Sequence, residues 1–202
     1  MSSDATLEIA AHAARLVVEE GMEYGPAKQR ALRDLGLKRA ALPGNDLLED
    51  QVREYIELFC ADTQPAELHA LREVAALWMA RLAEFRPHLT GAVWRGTATR
   101  LNAVHLQLYC DDPKSAEIRL LDQRVDFDVG SSTGPRGDTI DVLSVSMPCA
   151  ALGEPVTVHL SILDHDDLRG GLKPDARGQT ERGDLNALRA RMAAAILDND
   201  PA

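Results

Sequence analysis

The sequence predicts an α+β protein, in which an amino-terminal helical bundle precedes a sheet with flanking helices. Apolar residues recur with the period of an amphipathic helix, about 3.6 residues, as far as Arg86. From Pro87 onward, short segments rich in β-branched residues alternate polar and apolar positions, as half-buried strands do. The predicted parts are a helical bundle at 1–87, an α+β domain at 88–180, and a carboxy-terminal helix with its tail at 181–202.

Four helices are predicted in the first part of the chain. A capping side chain or a first-turn proline favours the start of a helix, and glycine favours its end. Gly21 and Gly36 lie near the ends of the first two helices. The predicted starts are Asp4, Gly25-Pro26, Asn45 or Asp46, and the break Thr63-Gln64-Pro65. We expect these helices to pack as a bundle through their apolar faces.

Four strands and two helices are predicted in the remainder of the chain. The strand segments are VHLQLYC, VDFDV, TIDVLSVSM and VTVHLSILD, each bounded by turn-forming residues. The segment PKSAEIRLLDQ, between the first two strands, has helical spacing. After the polar stretch RGGLKPDARGQTERG, Asp184 is expected to cap a last helix, LNALRARMAAAIL.

Composition and charge narrow the classes of function. The 202 residues are 45% hydrophobic, and none of their apolar runs reaches the roughly 18–20 residues of a membrane span. The segment MSSDATLEIA lacks the basic region and apolar core of a signal peptide, so we expect a cytoplasmic protein without membrane contact. The formal net charge of −10 opposes binding to nucleic-acid phosphates. Cys60, Cys110 and Cys149 lack C-x-x-C spacing and are expected to be reduced and buried.

A glycine-containing turn beginning at Gly91 is the first candidate for ligand binding. Gly91 and Gly96 have the G-x-x-x-x-G spacing of a P-loop. That motif continues with lysine and then serine or threonine, whereas this chain continues with Thr97 and Ala98. An ordinary P-loop is therefore not predicted.

A second pattern includes the strand that follows the turn. Here Gly91-Ala92 precedes Gly96-Thr97-Ala98-Thr99 and then Asn102-Ala103-Val104-His105-Leu106. Residues 88 to about 112 thereby resemble the DNA polymerase beta-like nucleotidyltransferase superfamily, whose members carry Gly-Ser, three residues, Gly, and a spacer into Ser-Asp-x-Asp-Leu. The alignment needs no gap. Residues 113–168 resemble the superfamily in strand order alone.

The resemblance implies a nucleotidyltransferase-like mixed sheet and a nucleotide site. In that superfamily, backbone amides of the glycine turn hold nucleotide phosphates. Two carboxylates two residues apart on the next strand share divalent metal ions with a third carboxylate from a later strand. Carried onto this sequence, the resemblance implies nucleotide binding by Gly91, Arg95, Gly96 and Thr97. Arg100, on the other side of the turn, is also placed to meet an anion.

The chain departs from the superfamily pattern at the positions of its metal chemistry. Ala92 replaces the serine, and Ala103 and His105 replace the two aspartates. His159 aligns with the third acid, and Thr157 and Ser161 are alternative alignments. Magnesium prefers oxygen ligands and is poorly served by imidazole. We therefore predict no set of metal ligands and regard a divalent-metal cofactor as doubtful.

Other polar residues remain candidates for chemistry. His105 and His159 face the polar side of their predicted strands, and their imidazoles approach each other if the strands pair in the superfamily's order. Three roles stay open for them: hydrogen-bonded sheet residues, a general acid or base, or a transition-metal site. Asp126 and Asp128 have a spacing that could place both carboxylates on one face, although a solvated edge strand is the favoured interpretation.

The acidic segment from Asp164 and the aromatic side chain of Trp94 are two further features of interest. The segment that contains Asp164, Asp166, Asp167 and Arg169 is either a strand-end cluster facing the cleft or a surface turn with local ion pairs. Trp94, within the glycine turn, is expected to be a structural anchor, because loops seldom bury a large aromatic side chain without a neighbouring surface.

Three functions follow as hypotheses. The leading one is a nucleotidyltransferase-like binding or regulatory module without metal-dependent transfer, whose expected ligand is a nucleotide or phosphate. The second is an active nucleotidyltransferase that uses relocated acids, namely Asp126, Asp128 or the Asp164 cluster. The third is a protein whose acidic helical bundle binds a protein partner. Bacterial chains that look like this one are sometimes labelled UDP-N-acetylmuramate–alanine ligases. An ATP-dependent ligase of cell-wall precursor synthesis is therefore a further alternative, although those enzymes use an ATP-binding loop with lysine and a much longer chain.

Overall fold

The structure, a computed structural model, describes residues 2–37, 40–168, 178 and 180–198. These residues form seven α-helices and six strands, with the helices of the first part preceding the sheet, so the predicted α+β class is confirmed. The helices are α1 Ser2–Glu20, α2 Tyr24–Asp34, α3 Asn45–Phe59, α4 Gln64–Arg81, α5 Gly91–Arg95, α6 Ser115–Asp122 and α7 Leu185–Asp198. The strands are β1 His88–Thr90, β2 Val104–Tyr109, β3 Asp128–Thr133, β4 Thr139–Cys149, β5 Glu154–Leu163 and β6 Arg182–Gly183.

The chain divides into two compact units, which we call the helical unit and the sheet unit. The helical unit comprises the described residues up to Leu68 together with Thr97–Asn102. The sheet unit comprises the described residues from His69 to Gly96 and from Ala103 onward. The division therefore falls inside α4. The sequence-based boundary near Arg86 marks the change of periodicity and stays a prediction.

The helical unit has its core between α1, α2 and α3. Apolar residues at helical spacing turn inward from all three helices, because each helix buries one stripe. The buried residues of this core include Ile9, Ala13, Leu16, Val17, Ala27, Ala31, Leu48, Val52 and Ile56. The segment Thr97–Asn102 belongs to the same unit, and the buried Gln64 side chain donates a hydrogen bond of 2.8 Å to Ala98 O.

Several predicted helix signals are corrected by the structure. α1 begins at Ser2 and α3 follows Gly44, so Asp4, Asn45 and Asp46 lie inside the first turns instead of capping them. An acidic side chain in that position still favours a helix through the helix dipole. Asp184 does cap α7, since its carboxylate accepts the Ala187 N–H at 2.8 Å.

The sheet has the order β3-β4-β5-β2-β1-β6, in which β2 and β5 are parallel and all other neighbours are antiparallel. One face is apolar because alternate residues of the central strands point to it. The buried residues on that face include Leu89, Val104, Leu106, Leu108, Leu143, Val145, Val158, Leu160 and Ile162. The opposite face carries polar side chains and holds the candidate site.

Some sheet predictions also need correction. The predicted strand VDFDV begins later in the structure, since β3 starts at Asp128 and continues to Thr133. The short strands β1 and β6 were not predicted, and the segment from Gly91 is a short helix instead of an open turn. Cys110 is buried and all three thiols are free, but Cys60 and Cys149 are partly exposed. None of the described helices combines the length and the apolar character that crossing a membrane requires.

Candidate functional site

A row of polar side chains crosses the sheet at one level, with one residue from each strand. The strand register pairs neighbours in this row directly, so their side chains share a face. We call this set the polar row; from β6 to β3 it consists of Arg182, Thr90, His105, His159, Ser144 and Asp128. All but Asp128 are partly buried, and Asp128 is exposed on the edge strand.

The centre of the polar row is a pair of imidazoles. His105 on β2 and His159 on β5 are register partners on adjacent parallel strands. Their ring centroids are 5.0 Å apart, and the ring planes are inclined by 33°. His159 Nδ1 forms a hydrogen bond of 2.8 Å with Ser144 Oγ on β4. The structure thus brings together the two histidines that the sequence singled out, and it adds a hydroxyl group that fixes one of the rings.

Gly91 lies beside this imidazole pair. Its φ is +73°, a left-handed conformation that glycine adopts at little cost. A Cβ built on Gly91 would be 3.7 Å from His105 Cδ2, which is ordinary contact. The first residue of the predicted glycine turn is therefore adjacent to the strand that follows it. The second glycine, Gly96, ends α5 with a φ of +88° and donates its N–H to Ala92 O at 2.9 Å.

The other two residues that the resemblance assigned to nucleotide binding lie outside the polar row. Arg95 is the last residue of α5 and is partly exposed. Thr97 belongs to the helical unit and is 3% exposed. A hydroxyl so deeply buried is not open to a ligand from solvent in this conformation. Neither Arg95 nor Thr97 therefore belongs to the polar row.

Trp94 anchors α5 within the sheet unit. Its side chain is 2% exposed, and its indole N–H donates a hydrogen bond of 2.6 Å to Thr180 O. The Arg191 guanidinium lies 3.9 Å from the indole centroid, a cation–π geometry. Arg191 also donates to Trp94 O, and the buried Arg72 donates to Val93 O, each at 3.2 Å. Two cationic groups thus bind carbonyls near the carboxyl end of α5, where the helix dipole favours positive charge.

A network next to the polar row was not predicted from the sequence. The Arg182 guanidinium donates to Gln107 Oε1 at 2.7 Å and also to the Tyr109 hydroxyl, which itself donates to Gln107 Oε1 at 3.0 Å. His88 packs edge-on against Tyr109 with centroids 5.4 Å apart. Arg182 lies in a polar stretch without periodicity and β6 has two residues, so no sequence signal indicated this site.

Burial leaves the groups around Arg182 neutral. It lowers the pKa of His88, whose Nδ1 lies 2.8 Å from Arg86 O, and it raises the pKa of Tyr109. A neutral imidazole and a neutral phenol therefore adjoin a guanidinium, which is always charged. This end of the polar row carries a positive charge.

The acidic candidates do not converge on Gly91. Asp126 is exposed before β3, and Asp128 lies on the exposed edge strand, as the favoured interpretation expected. The segment from Asp164 forms a local turn, in which Asp164 Oδ1 accepts the Asp166 N–H at 2.8 Å. Asp167 pairs with Arg136 at 2.7 Å. Arg169 lies outside the described residues. Within the described part of the chain, no three His, Cys, Asp or Glu side chains are placed to hold a metal ion together.

A separate acidic cleft lies at the carboxyl ends of the parallel strands β2 and β5. It has a volume of about 240 Å³, and its lining includes Cys110, Asp111, Asp138, Asp141 and Asp164. Lys114 lies 3.5 Å from Asp141, and His165 lies 3.6 Å from Asp111. Burial raises the pKa of the Cys110 thiol to about 11, so this group is protonated at neutral pH.

Comparison with known proteins assigns no family to this chain. No protein-family model matches it, and no curated protein sequence matches it.

Proposed function

We propose that this chain is a nucleotidyltransferase-like protein that lacks metal-dependent nucleotidyl transfer and acts as a binding or regulatory module for a nucleotide. The observation that carries this proposal is the pairing of His105 with His159 next to Gly91. The resemblance expects carboxylates at these positions. Two-metal transfer needs oxygen ligands that hold the cations between the attacking and leaving groups. Imidazoles do not replace carboxylates in that role for magnesium.

The polar row favours recognition of an anion over coordination of magnesium. The Ser144 hydroxyl can donate a hydrogen bond to a phosphate oxygen when it accepts one from His159 Nδ1, whereas the Thr90 hydroxyl already donates to Glu181 O at 3.1 Å. The positive charge of Arg182 lies at one end of the row. These groups suit a phosphate-bearing ligand that is bound and left chemically unchanged.

A thermal-shift titration tests the proposal. The full chain is titrated with ATP, GTP, CTP and UTP, each with and without magnesium or manganese. A ligand at about ten times its Kd adds about 1.4 kcal/mol of stability, and we expect at least one nucleotide to raise the Tm by about 3–5 °C. The shift should be independent of the metal, and it should decrease in His105→Asn and His159→Asn. The control His69→Asn changes an exposed histidine on α4 and should leave the shift intact.

Two outcomes would contradict the proposal. An unchanged Tm with all four nucleotides removes the nucleotide-binding function. Magnesium-dependent stabilisation followed by transfer of a labelled nucleotide would favour the active-enzyme alternative, which the acidic cleft around Asp164 supports. In that case Asp164→Asn should abolish the labelling, whereas Asp126→Asn and Asp128→Asn should abolish it only if the edge-strand acids are the relocated ligands.

A further inference from the structure

We infer that His105 and His159 form a two-imidazole binding site for a borderline transition-metal cation such as Zn²⁺, Ni²⁺ or Cu²⁺. Imidazole nitrogen is a preferred ligand of these cations, in contrast to magnesium. The site uses the same two imidazoles as the proposed nucleotide binding, but cation binding needs no nucleotide and is tested without one. The sequence left a transition-metal site open as one of three roles for these histidines, which are 54 positions apart, and it offered no third ligand at a recognisable spacing.

The separation of the rings fits a shared cation. A metal–nitrogen distance of about 2.1 Å, with the ring centre about 1.1 Å behind the nitrogen, places each centroid about 3.2 Å from the metal. Two such rings that subtend an angle of about 90–110° at the metal have centroids about 4.5–5.2 Å apart. The observed centroid separation of 5.0 Å lies within this interval.

The strand pairing holds both rings in place before a cation arrives. His105 and His159 are direct register partners on parallel strands, so their Cβ atoms leave the same face of the sheet. Both strands are internal to the sheet and are therefore paired on each side. A site with this backbone support loses little conformational entropy when two ligands bind one ion.

Ser144 provides the outer-shell contact that metal-binding histidines commonly have. Its Oγ lies 2.8 Å from His159 Nδ1. When the serine oxygen accepts the Nδ1 proton, Nε2 of His159 carries the lone pair that binds a metal. The contact fixes the orientation of the ring, and it is compatible with the tautomer in which Nε2 binds the metal.

The surroundings of the pair admit a cation from solvent. Both histidines are partly exposed, and the lack of a side chain at Gly91 leaves space beside Cδ2 of His105, the atom bonded to its Nε2. The formal net charge of −10 concentrates cations near the protein. Within the described residues, no third His, Cys, Asp or Glu side chain is placed to join the pair.

Calorimetric titration of the untagged full chain with Ni²⁺, Zn²⁺ or Cu²⁺ alone tests the inference. We expect one tight cation per chain. Either His105→Asn or His159→Asn should weaken binding more than about tenfold, because a single imidazole loses the chelate. Ser144→Ala keeps both ligands and should weaken binding about tenfold through loss of the outer-shell contact. The controls His12→Asn and His69→Asn change histidines elsewhere on the helices and should bind as the wild type does.

Two results would overturn the inference. One is a cation affinity that is the same in the wild type, in His105→Asn and in His159→Asn. The other is unchanged cation binding in the variant that carries both substitutions. Circular dichroism and the Tm of each variant in metal-free buffer separate a lost ligand from a lost fold. No nucleotide is present in this experiment, so its failure is distinguishable from a failure of the proposed function.

Discussion

At the residue scale, charge is graded along the polar row. Arg182 provides a positive charge at the β6 end, and the exposed carboxylate of Asp128 provides a negative one at the β3 end. Arg182 is two strands from His105, and Asp128 is two strands from His159, which corresponds to roughly 10 Å in each case. The imidazole pair occupies the middle. An anionic ligand is therefore favoured towards β6, and a cation is favoured towards β3.

Tyr55 in the helical unit allows a test at the same scale. Its hydroxyl donates a hydrogen bond to the Glu19 carboxylate, and this bond, followed by burial, raises the pKa of the phenol to about 12. Because the folded-state pKa exceeds the ordinary value of 10.0, the contribution to stability is present below about pH 10 and is lost as the pH rises towards 12. Ultraviolet titration should show a tyrosinate transition near pH 12, and Tyr55→Phe should remove one tyrosine's share of the absorbance change there.

The Glu19 carboxylate should be the source of this late transition. Glu19→Gln is expected to bring the Tyr55 transition closer to pH 10, whereas Glu8→Gln on the same helix should leave it unchanged. A Tyr55 pKa that stays near 12 in Glu19→Gln would show that burial, and not the hydrogen bond, is the main cause.

At the element scale, α5 and β6 depend on each other. α5 has five residues, too few to be stable alone in water. The buried Trp94 side chain holds it against the chain segment that contains β6, through its bond to Thr180 O. β6 is equally short, and its Gly183 has no side chain where the indole lies. Each element is therefore stabilised by packing against the other, because neither is long enough to be stable through its own helix or strand propensity.

Replacing Gly183 tests this dependence. A Cβ at Gly183 would overlap Cη2, Cζ3 and Cζ2 of Trp94, so Gly183→Ala forces the indole or β6 to move. Overpacking of this kind costs about 1–3 kcal/mol, and we expect the Tm to fall by about 2–10 °C. Gly130→Ala on β3 is the matched control, since its Cβ would meet only Val142 O at an ordinary 3.8 Å. Thermal and urea denaturation measure both variants.

A double-mutant cycle identifies the cause. If the indole is responsible, Gly183→Ala should cost much less in a Trp94→Leu background than in the wild type. An equal cost in the two backgrounds would place the strain in the backbone of β6.

At the scale of the whole molecule, the net charge restricts the choice of partners. The formal charge is −10, and the acidic cleft adds a local negative region to the sheet unit. The described residues place Arg72, Arg182 and Arg191 against carbonyl, amide or hydroxyl oxygens of the protein itself. These arginines are engaged in internal contacts.

We therefore expect no measurable binding to nucleic acid. Fluorescence anisotropy with a labelled duplex or single strand of about 20 nucleotides, at about 50 mM salt, should give a Kd weaker than about 100 μM. The full chain is the sample, and a basic DNA-binding protein is the positive control. Tight, salt-sensitive binding would contradict the expectation and would indicate a basic surface that outweighs the net charge.

Local sequence patterns correctly indicated much of the fold. The period of two residues located β2, β4 and β5, because alternation between a core face and a polar face is visible within a few neighbouring residues. It also placed His105 and His159 on the polar side of their strands. β1, α5 and β6 were missed because elements of two to five residues are too short to show a period.

The sequence by itself determined the α+β class, the apolar stripes of α1 to α3, the excess of negative charge, and the presence of alanine and histidine at positions 103 and 105. Only the tertiary structure decided that β2 pairs with β5 so that His105 faces His159, and that Arg182 and Ser144 join the same row. The reason is physical. Periodicity depends on residues that are neighbours in the chain, so it can be read from one segment. Strand register depends on contacts between residues far apart in sequence, and a single segment does not show which other segment it will contact.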